Sequence, residues 1–331
     1  MTMLTAGIDV GGTKTLLCLT DEEGTVLEQH KVETQLSREP EVFFRWLFAE
    51  LEQFCKRNGS ALASLKGVGI GFPGVMNERT GTLTSAPALN WPAATDIRPV
   101  IAAFYPGLVV LDNDVNMAAM GEYAAGSAAG SEHFIMITVG TGVGSALFLN
   151  GQLYRGASFA AGEIGYLIVE PGAVNAAADP EYSEFGPFEM EVSGTGIGAK
   201  AAARLHGNSR SSLIRELAQG DTVRAEHVFA AAQQQDQTAL ELLDHAYEQM
   251  AVAVKNIAIT LDLELVILGG GVVEKNPGYV QEVAARVSRY TPEQSLAIRQ
   301  AVLGNQAGAI GAAAAARSRL MAGNGQPSIR G

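Results

Sequence analysis

The residues best suited to chemistry lie in "DNDVN", where Asp112, Asn113, Asp114 and Asn116 crowd into positions 112–116. A carboxylate with amides at a strand end can hold the hydroxyls of a polyol and take a proton from one of them. The preceding "LVVLD" reads as a buried strand ending on Asp112, and the small-residue run after it as a helix starting near Val115. Asp114 therefore also suits a helix N-cap, and capping is the competing reading. The segment holds more polar groups than a cap requires. Glu163 in "AGEIGY" and Glu189 in "GPFEMEV" add acceptors for the same hydroxyls, with a solvated loop carboxylate as the alternative. Asp9 ends an apolar strand just before two glycines. It can anchor a water-coordinated Mg²⁺, which needs little more than one carboxylate and phosphate oxygens, or it can bond to the turn backbone.

Glycine must position these groups. "GIDVGGTKTLLCLT" runs strand, Gly11-Gly12-Thr13, strand, with no helix after the turn, unlike the two commonest phosphate loops. The pattern returns at 133–156, "HFIMITVGTGVGSALFLNGQLYRG", whose Asn150-Gly151 is a strong hairpin signal. Two such hairpins half a chain apart imply a duplication, hence two similar lobes with a cleft between them. Helices and strands alternate after each hairpin, so each lobe is α/β with a largely parallel sheet flanked by helices. "DVGGTKT", "GFPG", "VGTGVG" and "LGGGV" each end a predicted strand, where open α/β sheets collect ligands, and glycine lets backbone N–H groups approach a phosphate.

Bulk properties narrow the class. The 331 residues suffice for two domains, and a net charge of −12 argues against a nucleic-acid backbone as partner. Cys18 and Cys55 read as buried apolar residues of a reducing compartment, and the five histidines show no metal-ligand spacing. No signal peptide or membrane span is legible, even in "GAIGAAAAA", which points to the cytoplasm.

Together "DVGGTKT", "GIGFPG", "DNDVNMAAMGE", the stretch 138–165, "EVSGTG", "LGGGV" and "GNQAGAIGAA" resemble the ROK family of bacterial sugar kinases and repressors, its glucokinase branch above all. The resemblance implies an actin-like, ribonuclease H-like ATPase fold: two lobes of mixed sheets flanked by helices around a central cleft. It implies residues 1–113 plus 305–323 as one lobe, 114–304 as the other, 324–331 as a flexible tail, and a homodimer. It also implies ATP- and Mg²⁺-dependent phosphorylation of a hexose hydroxyl, most simply O6 of glucose or a related aldohexose. N-acetylhexosamines, fructose and allose are the alternatives, and a non-catalytic sugar sensor or a repressor the rivals of another class. By position, Asp114 is the expected base. Asn113, Glu163 and Glu189 are expected on the sugar, with Gly71, Pro73, Gly74, Asn90 and Tyr166 lining its pocket. Asp9, Gly11, Gly12, Thr13, Lys14, Gly140, Thr141 and Gly142 are expected at the phosphates, and Gly269, Gly270 and Gly271 beside adenosine. Tyr166 stands where most members carry a zinc-binding histidine, and "ADPEYSEFGPFE" replaces their cysteine cluster. The expectation is therefore no zinc, with the loop held by packing through Tyr182, Phe185 and Phe188.

Overall fold

The computed structural model describes residues 3–77, 80–85, 91, 95–170, 185–206, 212–290 and 295–323. Asn90, Tyr182 and the tail 324–331 lie outside the described residues. The chain divides into two units, 1–130 with 153–161 and 305–331, and 131–152 with 162–304.

In the first unit, β1 (Thr5–Val10), β2 (Lys14–Thr20) and β3 (Val26–Glu33) form an antiparallel meander. β4 (Gly67–Phe72) and β5 (Leu108–Asn113) extend it in parallel, giving the order β3-β2-β1-β4-β5. One face is covered by α1 (Pro40–Arg57), which buries Phe43, Phe44, Leu47, Leu51 and Phe54 at helical spacing. The other face takes the C-terminal helix Ala307–Ala322. A Cβ on Gly7 or Gly69 would lie 1.9 Å from Ala309 O or Ala312 O, so glycine lets the helix backbone rest directly on the strands. On its far side the same helix meets α2 (Asp114–Ala125), where a Cβ on Gly311 would lie 1.7 Å from Met117 O. The "GAIGAAAAA" run is thus a helix packed on two sides. No helix among the described residues is long and apolar enough to cross a membrane.

The second five-stranded sheet, which belongs to the second unit except for residues 153 and 154 of its edge strand, repeats the first sheet's plan. β6 (Phe134–Val139) pairs antiparallel with β7 (Val143–Leu149), and β8 (Gln152–Tyr154) flanks β7. β9 (Leu265–Gly269) and β10 (Ala297–Gln300) add in parallel, for the order β8-β7-β6-β9-β10. Helices α3 (Pro187–Val192), α4 (Gly194–His206), α5 (Ala225–Gln233), α6 (Gln237–Leu261), α7 (Gly271–Lys275) and α8 (Tyr279–Tyr290) accompany it. Phe188, Val192, Met250 and Val266 join one core with the strands.

The division departs from the expected break at 113/114. Helix α2 belongs to the first unit because it packs lengthwise on the C-terminal helix, with Gly121 admitting Ala307 O as Gly311 admits Met117 O. The stretch 153–161 also belongs to the first unit, although the chain on either side of it belongs to the second.

Candidate active site

In the first unit β1 turns into β2 through a bond from Gly11 N–H to Lys14 O (3.0 Å), and no helix follows. A Cβ on Gly11 would lie 2.6 Å from Lys14 O, so the tight turn itself requires glycine there. Gly12 differs: its φ is not positive and a Cβ would meet nothing within 4 Å. Glycine at that position keeps backbone N–H accessible to something outside the protein. Thr13 and Lys14 are exposed beside it.

Asp9 precedes this turn. No protein donor bonds its carboxylate among the described residues, so the turn-backbone alternative does not hold. Burial, and next the charge of Asp114, push its pKa from 3.8 up to about 7. Gly308 opens the space it fills, since a Cβ there would lie 2.6 Å from Asp9 Cγ. A desolvated carboxylate beside a second one suits a hydrated divalent ion.

In the "DNDVN" segment the cap falls one residue before the expected position. Asn113, not Asp114, is the N-cap of α2: its Oδ1 accepts from Val115 N–H (2.8 Å) and Asn116 N–H (3.2 Å). Asp114 is the first residue of the helix, its Oδ1 2.9 Å from Val115 N. Asn113 also donates through Nδ2 to Gly74 O (2.9 Å), which ties the "GFPG" turn to the same place and leaves one amide N–H for a ligand. Gly71 is buried in β4, where a Cβ would press on Met117 at 3.2 Å; it seats α2. Pro73 is half-buried.

Asp112 is wholly committed within the protein. Its Oδ1 accepts from Asn113 N–H (2.8 Å) and Asn116 Nδ2 (2.7 Å), and its Oδ2 takes Arg155 Nε (2.8 Å) and Nη2 (2.7 Å). The sequence reading missed Arg155, which sits 43 positions away and gives no local signal.

In the second unit the turn Gly140-Thr141-Gly142 is closed by Gly140 N–H to Gly142 O (2.9 Å). The start of α4 is locked onto it, Gly194 N–H donating to Gly140 O (2.8 Å) and Thr195 N–H to Thr141 O (3.3 Å). Glu189 braces the turn from α3: Oε1 accepts from Val143 N–H (2.7 Å) and Oε2 from Gly186 N–H (3.2 Å). Gly142 is glycine because a Cβ would lie 2.2 Å from Glu189 Oε1. Glu163 precedes the short helical turn Ile164–Tyr166. Partial burial, and then Glu189, hold its carboxyl above the ordinary value. Tyr166 is 61% exposed.

A cavity of about 800 Å³ opens from the same turn, bringing Gly140 and Thr141 together with Thr195, Phe229, Gln233 and Asn276. Of the three glycines expected here only Gly271 lines it. Gly269 closes β9, and Gly270 (φ 87°) is forced by Val139, whose O a Cβ would approach to 2.6 Å. Around Gly140 and Gly271, as around Gly12, a Cβ would meet nothing within 4 Å. A wide, mostly apolar cavity ending at open glycines fits a nucleotide with its phosphates on the turn. Phe229, Gln233 and Asn276 went unforeseen because on a sequence they look like ordinary helix positions.

Residues 171–184, Tyr182 among them, lie outside the described residues. Phe188 is fully buried, as expected. Glu191, one turn on, accepts from Lys200 Nζ (2.9 Å) and His245 Nε2 (2.6 Å), and Glu170 joins through Gln249 Nε2 (3.2 Å). The ligand atoms of Glu170, Glu191 and His245 lie within 4.8 Å of one another, with Lys200 already on the shared carboxylate.

Comparison with known proteins bears on both units. The sequence model of the ROK family matches residues 5–319. A glucokinase of Halalkalibacterium halodurans is 28% identical over 308 residues, 92% of each chain. The solved ROK hexokinase of Thermus thermophilus superposes with a TM-score of 0.82 at 26% identity, covering 96% of this chain and 99% of that one. A ROK family glucokinase from Streptomyces griseus, solved with glucose and AMPPNP, gives 0.73 at 27% identity over 95% and 99%.

Proposed function

We propose that this chain, which belongs to the ROK family and has its actin-like ATPase fold, is a sugar kinase that transfers the γ-phosphoryl group of ATP to O6 of glucose or a related aldohexose. The observation that carries the reading is the division of labour at 112–116. Asn113 caps α2 and Asp112 is braced by Asn116 and Arg155, so Asp114 is held as the first residue of α2, close enough to Asp9 for its charge to raise that carboxyl's pKa.

In this reading Asp114 orients the acceptor hydroxyl and takes its proton late. Phosphoryl transfer is loose, and most of the rate comes from position and charge. The remaining Asn113 N–H donates to a sugar oxygen, and Glu163 and the unused lone pairs of Glu189 accept from sugar hydroxyls. Lys14 and the N–H groups at Gly11, Gly12, Thr13 and Gly140–Gly142 meet phosphate oxygens, and the 800 Å³ cavity takes the nucleoside. Asp9 would hold Mg²⁺ through water, and the ion supplies charge neutralisation on the phosphates. The reading includes a cytoplasmic homodimer without nucleic-acid or membrane partners and without zinc.

ADP release measured across a panel of glucose, mannose, allose, fructose and N-acetylhexosamines tests it. Turnover is expected on an aldohexose. Asp114→Asn should lower kcat at least about 10²-fold while sugar still binds. A fully active D114N variant removes the residue from the role, and a chain that binds sugar yet phosphorylates none of the panel is a sensor instead.

A further inference from the structure

We propose that Arg155 is a positioning residue for the phosphoryl transfer, acting on Asp114 through the buried carboxylate of Asp112. The inference rests on the reading of Asp114 as the base. Asp112 is 3% exposed, and its two oxygens receive four donors: Arg155 Nε and Nη2, Asn113 N–H and Asn116 Nδ2. A buried carboxylate so placed needs a cation, and Arg155 supplies one in a fork that also sets direction. The bonds run straight into the site. Asn113 N–H is fixed by Asp112, Asn113 Oδ1 fixes the first N–H groups of α2, and Asp114 sits between those contacts.

The place of Arg155 in the chain gives it a second reach. It lies in the stretch 153–161, which is part of the first unit although residues on both sides belong to the second. Its own carbonyl accepts from Ala161 N–H (3.0 Å), closing a loop that contains Gly156 at φ 74°. Gly162 and Glu163 follow at once. The Arg155 side chain therefore anchors the peptide carrying Asp114, while its backbone carbonyl closes the loop that precedes Gly162 in the chain. A site of this kind loses turnover when a hydroxyl is misplaced by about 1 Å, without losing the substrate.

The test joins kinetics to amide exchange on the full chain. Arg155→Met keeps bulk and removes charge. Exchange of the amides at 112–116 should quicken about tenfold or more, while the 186–192 segment around Glu189 keeps its rate. In the same variant kcat should fall about 10²-fold with the sugar KM within about threefold. Arg155→Lys should lie between it and the natural chain, and added guanidinium should restore much of the turnover of Arg155→Ala. Unchanged exchange at 112–116 overturns the proposal. So does turnover that stays at the natural level in R155M, or a loss that neither lysine nor guanidinium relieves. Should the natural chain phosphorylate no sugar, the functional reading falls, while the exchange measurement still decides whether Arg155 holds the 112–116 segment.

Discussion

Gly142→Ala isolates one contact at the second unit's turn. The new Cβ would lie 2.2 Å from Glu189 Oε1, against about 3.4 Å for an ordinary contact, so the carboxylate must retreat about 1.2 Å. That carries its 2.7 Å bond with Val143 N–H toward about 3.9 Å, past hydrogen-bond range. A hydrogen bond to a charged acceptor contributes about 1.5–3 kcal/mol, which for a unit of this size lowers Tm by roughly 3–12 °C. The backbone at Gly142 is not in the left-handed region, so the effect is steric and aimed at one side chain. Thermal unfolding of G142A, E189A and the double variant reads it. E189A loses the same bond, and with the carboxylate gone the alanine at 142 has nothing to strike. The double variant should then match E189A within about 0.5 kcal/mol. Costs that add in full, or a G142A chain that melts like the natural one, refute the assignment of Glu189 as the brace.

Two further outcomes follow from the same geometry. Gly12→Ala should leave Tm nearly unchanged, because the methyl meets no protein atom, yet raise the KM for ATP by about 10- to 100-fold by obstructing a bond from backbone to phosphate; an unaltered KM would place the phosphates elsewhere. The bond to Glu191 raises the pKa of His245 above 6.5, and His245 and Lys200 hold Glu191 below 4.5 against the cost of its burial. The histidine contribution is therefore complete below pH 6.5 and fades as pH rises through the raised value, while the glutamate contribution fades as pH falls below 4.5. His245→Ala should accordingly destabilise the chain most between those limits and less above pH 6.5, read as Tm against pH; a difference constant from pH 5 to 8 would show that the pair does not titrate as described.

What the sequence disclosed was local. A glycine turn between two apolar strands announces itself, and it recurs, so the doubled sheet order and the absence of a helix after Gly12 were both legible. The strand end at "DNDVN" was legible too, but not the division of tasks inside it. Whether Asn113 or Asp114 caps α2 turns on one residue of helix boundary, which composition does not fix. Arg155 with Asp112, and Glu191 with His245, pair across 43 and 54 positions. Neither couple has a spacing that marks it, because the fold alone brings the partners together. The units divide elsewhere than at 113/114 for a related reason. A run of alanines and glycines reads as a weakly amphipathic helix, and nothing in its pattern says that a second helix will lie along it.

Glycine carries the deeper distinction. Gly7, Gly69, Gly121 and Gly311 are glycine because backbone from another element occupies the position of a Cβ, and Gly270 because strand backbone does. They build the scaffold, and alanine there is a packing lesion. Gly12, Gly140 and Gly271 have free space where a Cβ would go and no positive φ to justify them. In a folded chain glycine without either excuse costs conformational entropy and returns no packing. Three such positions, two at hairpin turns and one at the head of α7, make sense when the missing neighbour is a ligand. The same reasoning separates Gly271 from the two glycines before it, although all three stand in one unbroken "GGG". Adjacent identical residues can thus serve the fold and the substrate separately, and it is the surrounding backbone that decides which.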